Sequence, residues 1–442
     1  ERASPPCRAG RGRMDRVRRL LLVVLPLAAC GLPAELEEYL ATARDWTPRS
    51  DPHALPIGLS EEERTATPLP RVRSARSLPP SNARFVPEWA PMRGVLIRWP
   101  LGISIQLVNG LSHAARVYCL ASVSESMAVN AAFRASGITN YELVQANTDS
   151  YWTRDYGPWW VFSDDGLAVV DHEYNRPRPN DNAVPSAIAS FFGVPYFSSG
   201  LVGTGGNMMV DGLGQAAATH IAYTENAACG TSDEVSIPLA PCSSVDSIMR
   251  DYYGVGIFHV VADPNNEYID HIDCWAKYLS STTVLIRRVP QSHPQYHMVE
   301  DVATYLASVN TSAGGAWTIY RVDTPSDQPY TNSLILNDHV FVPIVGSAWD
   351  DAALEVYRSA MPGYTVSGWT GSWQPTDALH CRTRGVPEEE ARRPIPSAPP
   401  SAPLPPPAPP APQAPPVPPP EVPAPASPPE QPAVLRRGAS CS

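Results

Sequence analysis

Hydrophobic and polar positions divide this 442-residue chain into four stretches of different character. Residues 1–29 join an upstream extension to a leader-like pattern, in which a basic cluster after Met14 (Arg16, Arg18, Arg19) precedes the apolar run LLLVVLPLAA. That run is too short to span a bilayer and reads as the core of an export signal. Residues 30–83 are polar, mixed and punctuated by Pro, the pattern of a tether or N-terminal arm. From about residue 84 the pattern changes, and FVPEWAPMRGVLIRWP (85–100) alternates into a β-type segment. GLAVVDHEY (166–174), STTVLIRRV (281–289) and SLILNDHVFVPIV (333–345) are rich in β-branched residues and predict strands, the last pair joined by a turn at Asn337-Asp338. Residues 107–135, 184–192, 298–309 and 350–361 carry helical spacing. Strand pairs recur between helices every several tens of residues without a crisp repeat, which is compatible with a repeated ββαβ unit and does not establish one. The body therefore occupies 84–386, and 387–442 is a tail: 22 of the chain's 51 Pro fall in 387–432, a composition that buries no core and stays extended.

Composition changes this picture little. With 43% hydrophobic residues and 11 Trp, the body has ample material for a large core. The net charge of −11 includes seven Arg in the first 29 residues, so the rest is more acidic still. That balance argues against a nucleic-acid partner and is compatible with cationic ligands. Among eight Cys, Leu27-Ala28-Ala29-Cys30 resembles a bacterial lipoprotein box, with Cys30 as the lipidation site and lipid as the sole membrane anchor. The expected location is the bacterial cell envelope, periplasmic or surface-facing, or outside the cell. Cys229 and Cys242 flank a small-residue loop suited to a disulfide in an exported protein. Cys119 and Cys274 sit in apolar contexts and read as inert core thiols.

The chemistry-bearing residues are scattered. Asp155 lies in WTRDYGPW (152–159), where neighbouring rings strip water from its carboxylate. A buried anion needs a cationic partner, either a ligand or an internal group such as Arg154. In His271-Ile272-Asp273, an extended backbone would put the two polar side chains on one face, where a His beside a carboxylate can hold a planar cation and move its protons. A half-exposed surface strand would show the same alternation. No second His or Cys cluster at ligand spacing supports a zinc site, so no metal is expected. Cys381 follows His380 and precedes Arg382 and Arg384, cations expected to lower the thiol pKa. Gly205-Gly206-Asn207, with Asp211-Gly212, reads on its own as a tight turn.

In order, WTRDYGPW, TGGNMMVDG (204–212), HIDCWAKYL (271–279), YTNSLILN (330–337) and ALHCRTRG (378–385) resemble the bacterial (Porphyromonas-type) peptidylarginine deiminases, which belong with agmatine deiminases to the guanidine-modifying pentein superfamily. The resemblance covers roughly 84–386. It implies an α/β fold, a five-bladed propeller with a central site, needing no cofactor. It also implies that Asp155 and Asp273 clamp a guanidinium, His271 acts as general acid and base, and Cys381 attacks carbon. Tyr268 and Asn332 would line the pocket, and Arg176 and Arg178, in YNRPRPND, would hold the carboxylate of a C-terminal arginine. The expected activity is deimination of peptidyl arginine, foremost a C-terminal arginine, to citrulline and ammonia through a Cys thiouronium intermediate. The alternatives are an agmatine or free-arginine deiminase, or a non-catalytic arginine-binding surface lipoprotein. After the nucleophile, where the best-known relatives continue into an immunoglobulin-like domain, this chain continues into its Pro-rich tail.

Overall fold

Five small sheets of one design account for the strands of the body. The computed structural model describes residues 55–65, 76–226, 236–265 and 269–389. Four sheets follow chain order, each running short strand, second strand, helix, third strand. The first comprises Trp159–Ser163, Gly166–Tyr174, the helix Pro179–Phe192 and Tyr196–Gly203. The second comprises Met209–Val210, Gln215–Thr219, the helix Ser243–Tyr253 and Ile257–Val261. Ala276–Tyr278, Thr283–Arg288, Tyr296–Ser308 and Thr318–Asp323 form the third, and Leu334–Leu336, His339–Ile344, Asp350–Ala360 and Thr365–Thr370 the fourth. In every case the first two strands are antiparallel and the third lies parallel to the second. A parallel neighbour can be reached only by a crossover, which is what each helix supplies.

The fifth sheet joins the two ends of the body. Arg384–Pro387 pairs antiparallel with Met92–Arg98, Gly385 facing Val95, and Met92–Arg98 then pairs parallel with Arg116–Ala121 beyond the helix Ile105–Ala114. These five blades, none closed on itself, make the α/β propeller expected from the sequence. Their inner strands are buried on both faces: Val95, Leu96 and Ile97, like Val284, Leu285 and Ile286, are at most 1% exposed. Such strands read as continuous apolar runs. The helices cover them with one apolar face, as Ala353, Leu354 and Tyr357 do in Asp350–Ala360.

Two expectations change. Residues 107–135 are not one helix, because the strand Arg116–Ala121 divides Ile105–Ala114 from Ser126–Ala135. Its RVYCLA sequence is β-prone, and its parallel pairing with Met92–Arg98 overrides the helical spacing around it. The arm is more than a tether, since residues 55–65 lie against the body, Ile57 joins the main core, and Glu61–Thr65 forms one helical turn. Cys242 is disulfide-bonded, whereas Cys119 and Cys274 are free and buried. Cys30, Tyr268, Cys229, the leader pattern and the tail beyond Glu389 lie outside the described residues.

Candidate functional site

A short turn precedes the first strand of every blade, and these five turns converge. They are Thr153–Tyr156 with Asp155, Gly205–Asn207, Ile272–Cys274 with Asp273, the segment ending at Asn332 before Leu334, and His380–Arg382 with Cys381. His271 Nδ1 lies 3.7 Å from Asp155 Oδ1, and the Cys381 thiol points at Asp273 Oδ2 from 3.7 Å. Asn332 holds the thiol from a third blade: its Nδ2 donates to Sγ at 3.1 Å, while its Oδ1 accepts the backbone N–H of His380 (2.9 Å) and of Cys381 (3.3 Å). Asp155, His271, Asp273, Asn332 and Cys381, proposed from sequences up to 226 positions apart, therefore meet.

His271 and Asp273 meet the site differently from the extended pair expected. Ile272–Cys274 is a 3₁₀ turn with His271 as its cap, so the turn, not strand alternation, aims both side chains inward. Asn207 fixes this turn by accepting the backbone N–H groups of Ile272 (3.2 Å) and Thr219 (2.9 Å) on one oxygen. Gly206 sits at the centre. A Cβ there would come within 2.6 Å of His271 Nδ1, 2.7 Å of Asp155 Oδ1 and 3.3 Å of Asp273 Oδ2. Gly205 is equally confined, since its Cβ would collide with the Arg154 carbonyl. Sequence reading left this loop as a simple turn; the adjacent glycines beside a chemical motif were the available signal.

Behind Asp273 lies a second layer that sequence reading missed. The His380 ring bridges Asp273 Oδ2 (2.7 Å) and Glu88 Oε2 (2.6 Å), and Glu88 also pairs with Lys277 at 2.8 Å and Arg154 at 3.5 Å. Arg154 is thus not the partner of Asp155. Glu88, in the otherwise unremarkable FVPEWAP, carried no sequence signal. A cavity of about 60 Å³ is lined by Glu88, Arg154, Asp273, Lys277 and His380 but not by Asp155, His271 or Cys381.

Electrostatics separate the two carboxylates. Burial, then the charge of Asp273, pushes Asp155 up to about 8, against the pull of Arg176 and Thr204. Neither Asp155 oxygen has a partner of good hydrogen-bond geometry among the described residues. Burial acts on Asp273 in the same direction, but its hydrogen bond to His380 and the neighbouring cations outweigh it and hold the carboxyl below the usual range. Burial brings His271 down to about 3, leaving a neutral imidazole whose two nitrogens lack partners among the described residues. The Cys381 thiol is pushed well up by burial and by Asp273, Asp155 and Asp377. The expected help from neighbouring cations is outweighed: Arg382 still acts on the thiol but pairs with Asp377 at 2.6 Å, and Arg384 donates to the Pro158 carbonyl at 2.9 Å. The site is over-supplied with acid groups, and a cation among them would relieve it.

The two rim arginines divide. Arg178 is 2% exposed and bound through Nε to Glu63 at 2.8 Å and through Nη2 to the carbonyls of Pro56 (2.7 Å) and Gly58 (2.8 Å). Its two-pronged edge is therefore not available to a substrate carboxylate, contrary to expectation, because the arm fills it. Arg176 is half-buried, donates to the Ile57 carbonyl at 3.2 Å, and its charge acts on both Asp155 and His271. Among the described residues no cluster of three or more His, Cys, Asp or Glu is arranged to hold a metal ion.

Two carboxylates, a neutral imidazole and a thiol at the meeting point of five α/β blades define a guanidine-modifying enzyme of the pentein fold, a hydrolase of C–N bonds. A family model described as Porphyromonas-type peptidyl-arginine deiminase matches residues 84–387, and the chain belongs to that family. It is 23% identical over 331 residues to the agmatine deiminase of Pseudomonas syringae pv. tomato, spanning 63% of this chain and 88% of that protein. Its fold superposes on the agmatine deiminase of Enterococcus faecalis with a TM-score of 0.60 at 18% identity, covering 72% of this chain and 100% of the other. For the agmatine deiminase of C. jejuni the TM-score is 0.55 at 17% identity, covering 69% and 96%. The reaction class these findings support is deimination of a guanidine.

Proposed function

We propose that this chain deiminates peptidyl arginine, with Cys381 as nucleophile, Asp155 and Asp273 as the guanidinium clamp and His271 as the proton carrier. The observation that carries this reading is the pair of buried carboxylates: Asp155, with no hydrogen-bonded partner among the described residues, lies beside the neutral imidazole, and Asp273 faces the thiol. A guanidinium between the two carboxylates offsets the charges that oppose thiol ionisation, so substrate binding itself favours loss of the Cys381 proton, which His271 accepts. Sulfur then bonds to the guanidinium carbon held planar and in line. As the C–N bond breaks, His271 returns the proton to the departing ammonia. Water attacks the thiouronium, giving its proton to the same imidazole, and the C–S bond breaks to release the ureido product (citrulline, for an arginyl substrate) and the thiol.

The family description supports a peptidyl substrate. A small guanidine such as agmatine is the second reading, favoured by the engagement of Arg178 with Glu63, which takes the forked edge of that arginine from a substrate carboxylate. Export and lipidation at Cys30 belong to this proposal on the strength of the leader pattern alone.

The test is ureido-product and ammonia release from an arginyl peptide amide, agmatine and free arginine by the wild type and by Cys381→Ala. Turnover of at least one guanidine by the wild type, with a loss of about 10⁴-fold or more in the variant and substrate binding retained, is the expected result. Substantial turnover by Cys381→Ala would remove the nucleophile assignment.

A further inference from the structure

Arg178 is the close neighbour of Arg176 and yet serves the arm. Its N–H donates to the Arg176 carbonyl at 2.8 Å, and both side chains bind one short stretch of the arm, Arg176 at the Ile57 carbonyl and Arg178 at those of Pro56 and Gly58, while the charge of Arg176 acts on Asp155 and His271. Two cations beside a clamp for a third are the natural receptor for a negative group at the far end of a substrate. Here that role is pre-empted by the chain itself. Glu63 Oε1 accepts from Arg178 Nε at 2.8 Å and Oε2 from Nη2 at 3.1 Å, a forked pairing with the geometry a ligand carboxylate would use. Only Nη1 of Arg178 lacks a partner among the described residues.

Glu63 is itself held in place. Ser60 and Glu63 form a reciprocal cap, the Ser60 N–H donating to Glu63 Oε2 at 2.7 Å and the Glu63 N–H to Ser60 Oγ at 3.1 Å. This S-x-x-E pattern fixes the first turn of a helix and here also fixes the carboxylate. Buried Ile57 and the carbonyls of Pro56 and Gly58 anchor the rest of the segment against the same arginine. The carboxylate is thus preorganised, and displacing it would uncover a buried guanidinium.

Building on the deiminase reading, we propose that Glu63 is a specificity-determining residue that occupies Arg178 in place of a substrate carboxylate and turns the site toward arginine derivatives without a free α-carboxylate. An incoming carboxylate meets only the Nη1 end of Arg178 and the repulsion of Glu63. An amide, an internal peptide bond or an unsubstituted amine end meets neither demand.

The experiment compares kcat/KM for a peptide ending in arginine with kcat/KM for its C-terminal amide, in the full chain. The variants are Glu63→Ala, Glu63→Gln, Arg178→Gln and Glu63→Ala with Arg178→Gln. Glu63→Ala should raise the acid-to-amide ratio about tenfold or more, Glu63→Gln should raise it less, and adding Arg178→Gln should abolish the rise. An unchanged ratio in Glu63→Ala, or a rise that survives Arg178→Gln, overturns the proposal, since a bridge that only pins the arm would affect both peptides alike. If Glu63→Ala does not fold, the Glu63→Gln ratio decides. If the wild type turns over neither peptide, the peptidyl-arginine reading fails; the ratio of the two dissociation constants, measured by calorimetry in a Cys381→Ala background, then tests Glu63 independently.

Discussion

Asp155 shows what a functional residue costs the molecule that carries it. Its carboxyl sits near 8 when folded and near 4 in an unfolded chain, so the folded state holds that proton more tightly. The resulting stability is present below about pH 4 and is lost as pH rises through 8. His271 has the opposite sign: held near 3 when folded against about 6.5 unfolded, it contributes above 6.5 and loses that contribution toward 3. Asp155→Asn keeps the shape and removes the titrating group. Denaturant midpoints at pH 5 and pH 8.5 should therefore fall less between the two values in the variant, which should be the more stable protein at pH 8.5 by on the order of a few kcal/mol. Asp171, near 7, and Asp181 and Asp377, near 6, keep a residual decline in both proteins. Identical pH slopes would mean that Asp155 is not the unpartnered acid described.

At the scale of elements, the site depends on five turns meeting at contact distance, and Gly205–Asn207 is the tightest of them. Gly206→Ala inserts a methyl group where His271 Nδ1 and Asp155 Oδ1 leave 2.6 and 2.7 Å. Neither neighbour is a flexible chain end, so the turn or the imidazole must move. Displacing a reacting group by about an ångström costs on the order of a hundredfold in rate. The expectation is a kcat lowered at least that much while circular dichroism and the far blades stay unchanged. Wild-type kcat in Gly206→Ala would show that the turn yields freely. Element boundaries followed local sequence where a run was strongly β-branched, as in Thr283–Arg288, and failed at Arg116–Ala121, where parallel pairing outweighed local spacing.

The molecule as a whole is closed by four residues. Arg384–Pro387, immediately after the nucleophile turn, pairs with Met92–Arg98 and completes the fifth blade, with Trp160 Nε1 donating to the Gly385 carbonyl at 3.1 Å. Ending the chain after Glu389 should leave the melting temperature within about 2 °C of the full chain. Ending it after Thr383 should abolish the cooperative transition, because buried Val386 and the strand's ladder are lost together. Equal melting temperatures for the two truncations would show that the closing strand does not hold the ring.

Sequence by itself determined the β-branched strands Gly166–Tyr174, Thr283–Arg288 and His339–Ile344, the helices Tyr296–Ser308 and Asp350–Ala360, and the residues that meet at the site, because each of those signals is local: a β-branched run, a spaced apolar face, a motif of five to ten residues around Asp155, His271 and Cys381. Through-space properties were decided only by the tertiary structure. Nothing near Glu88 announced that it would meet His380 across 292 positions, nor anything near Glu63 that it would take Arg178. Arg382 and Arg384 flank the thiol in sequence yet bind Asp377 and the Pro158 carbonyl, so a thiol expected to be acidic is instead pushed well up by burial and the nearby carboxylates. Burial and the placement of charge depend on which distant segments close over a residue, and no window of sequence contains that information.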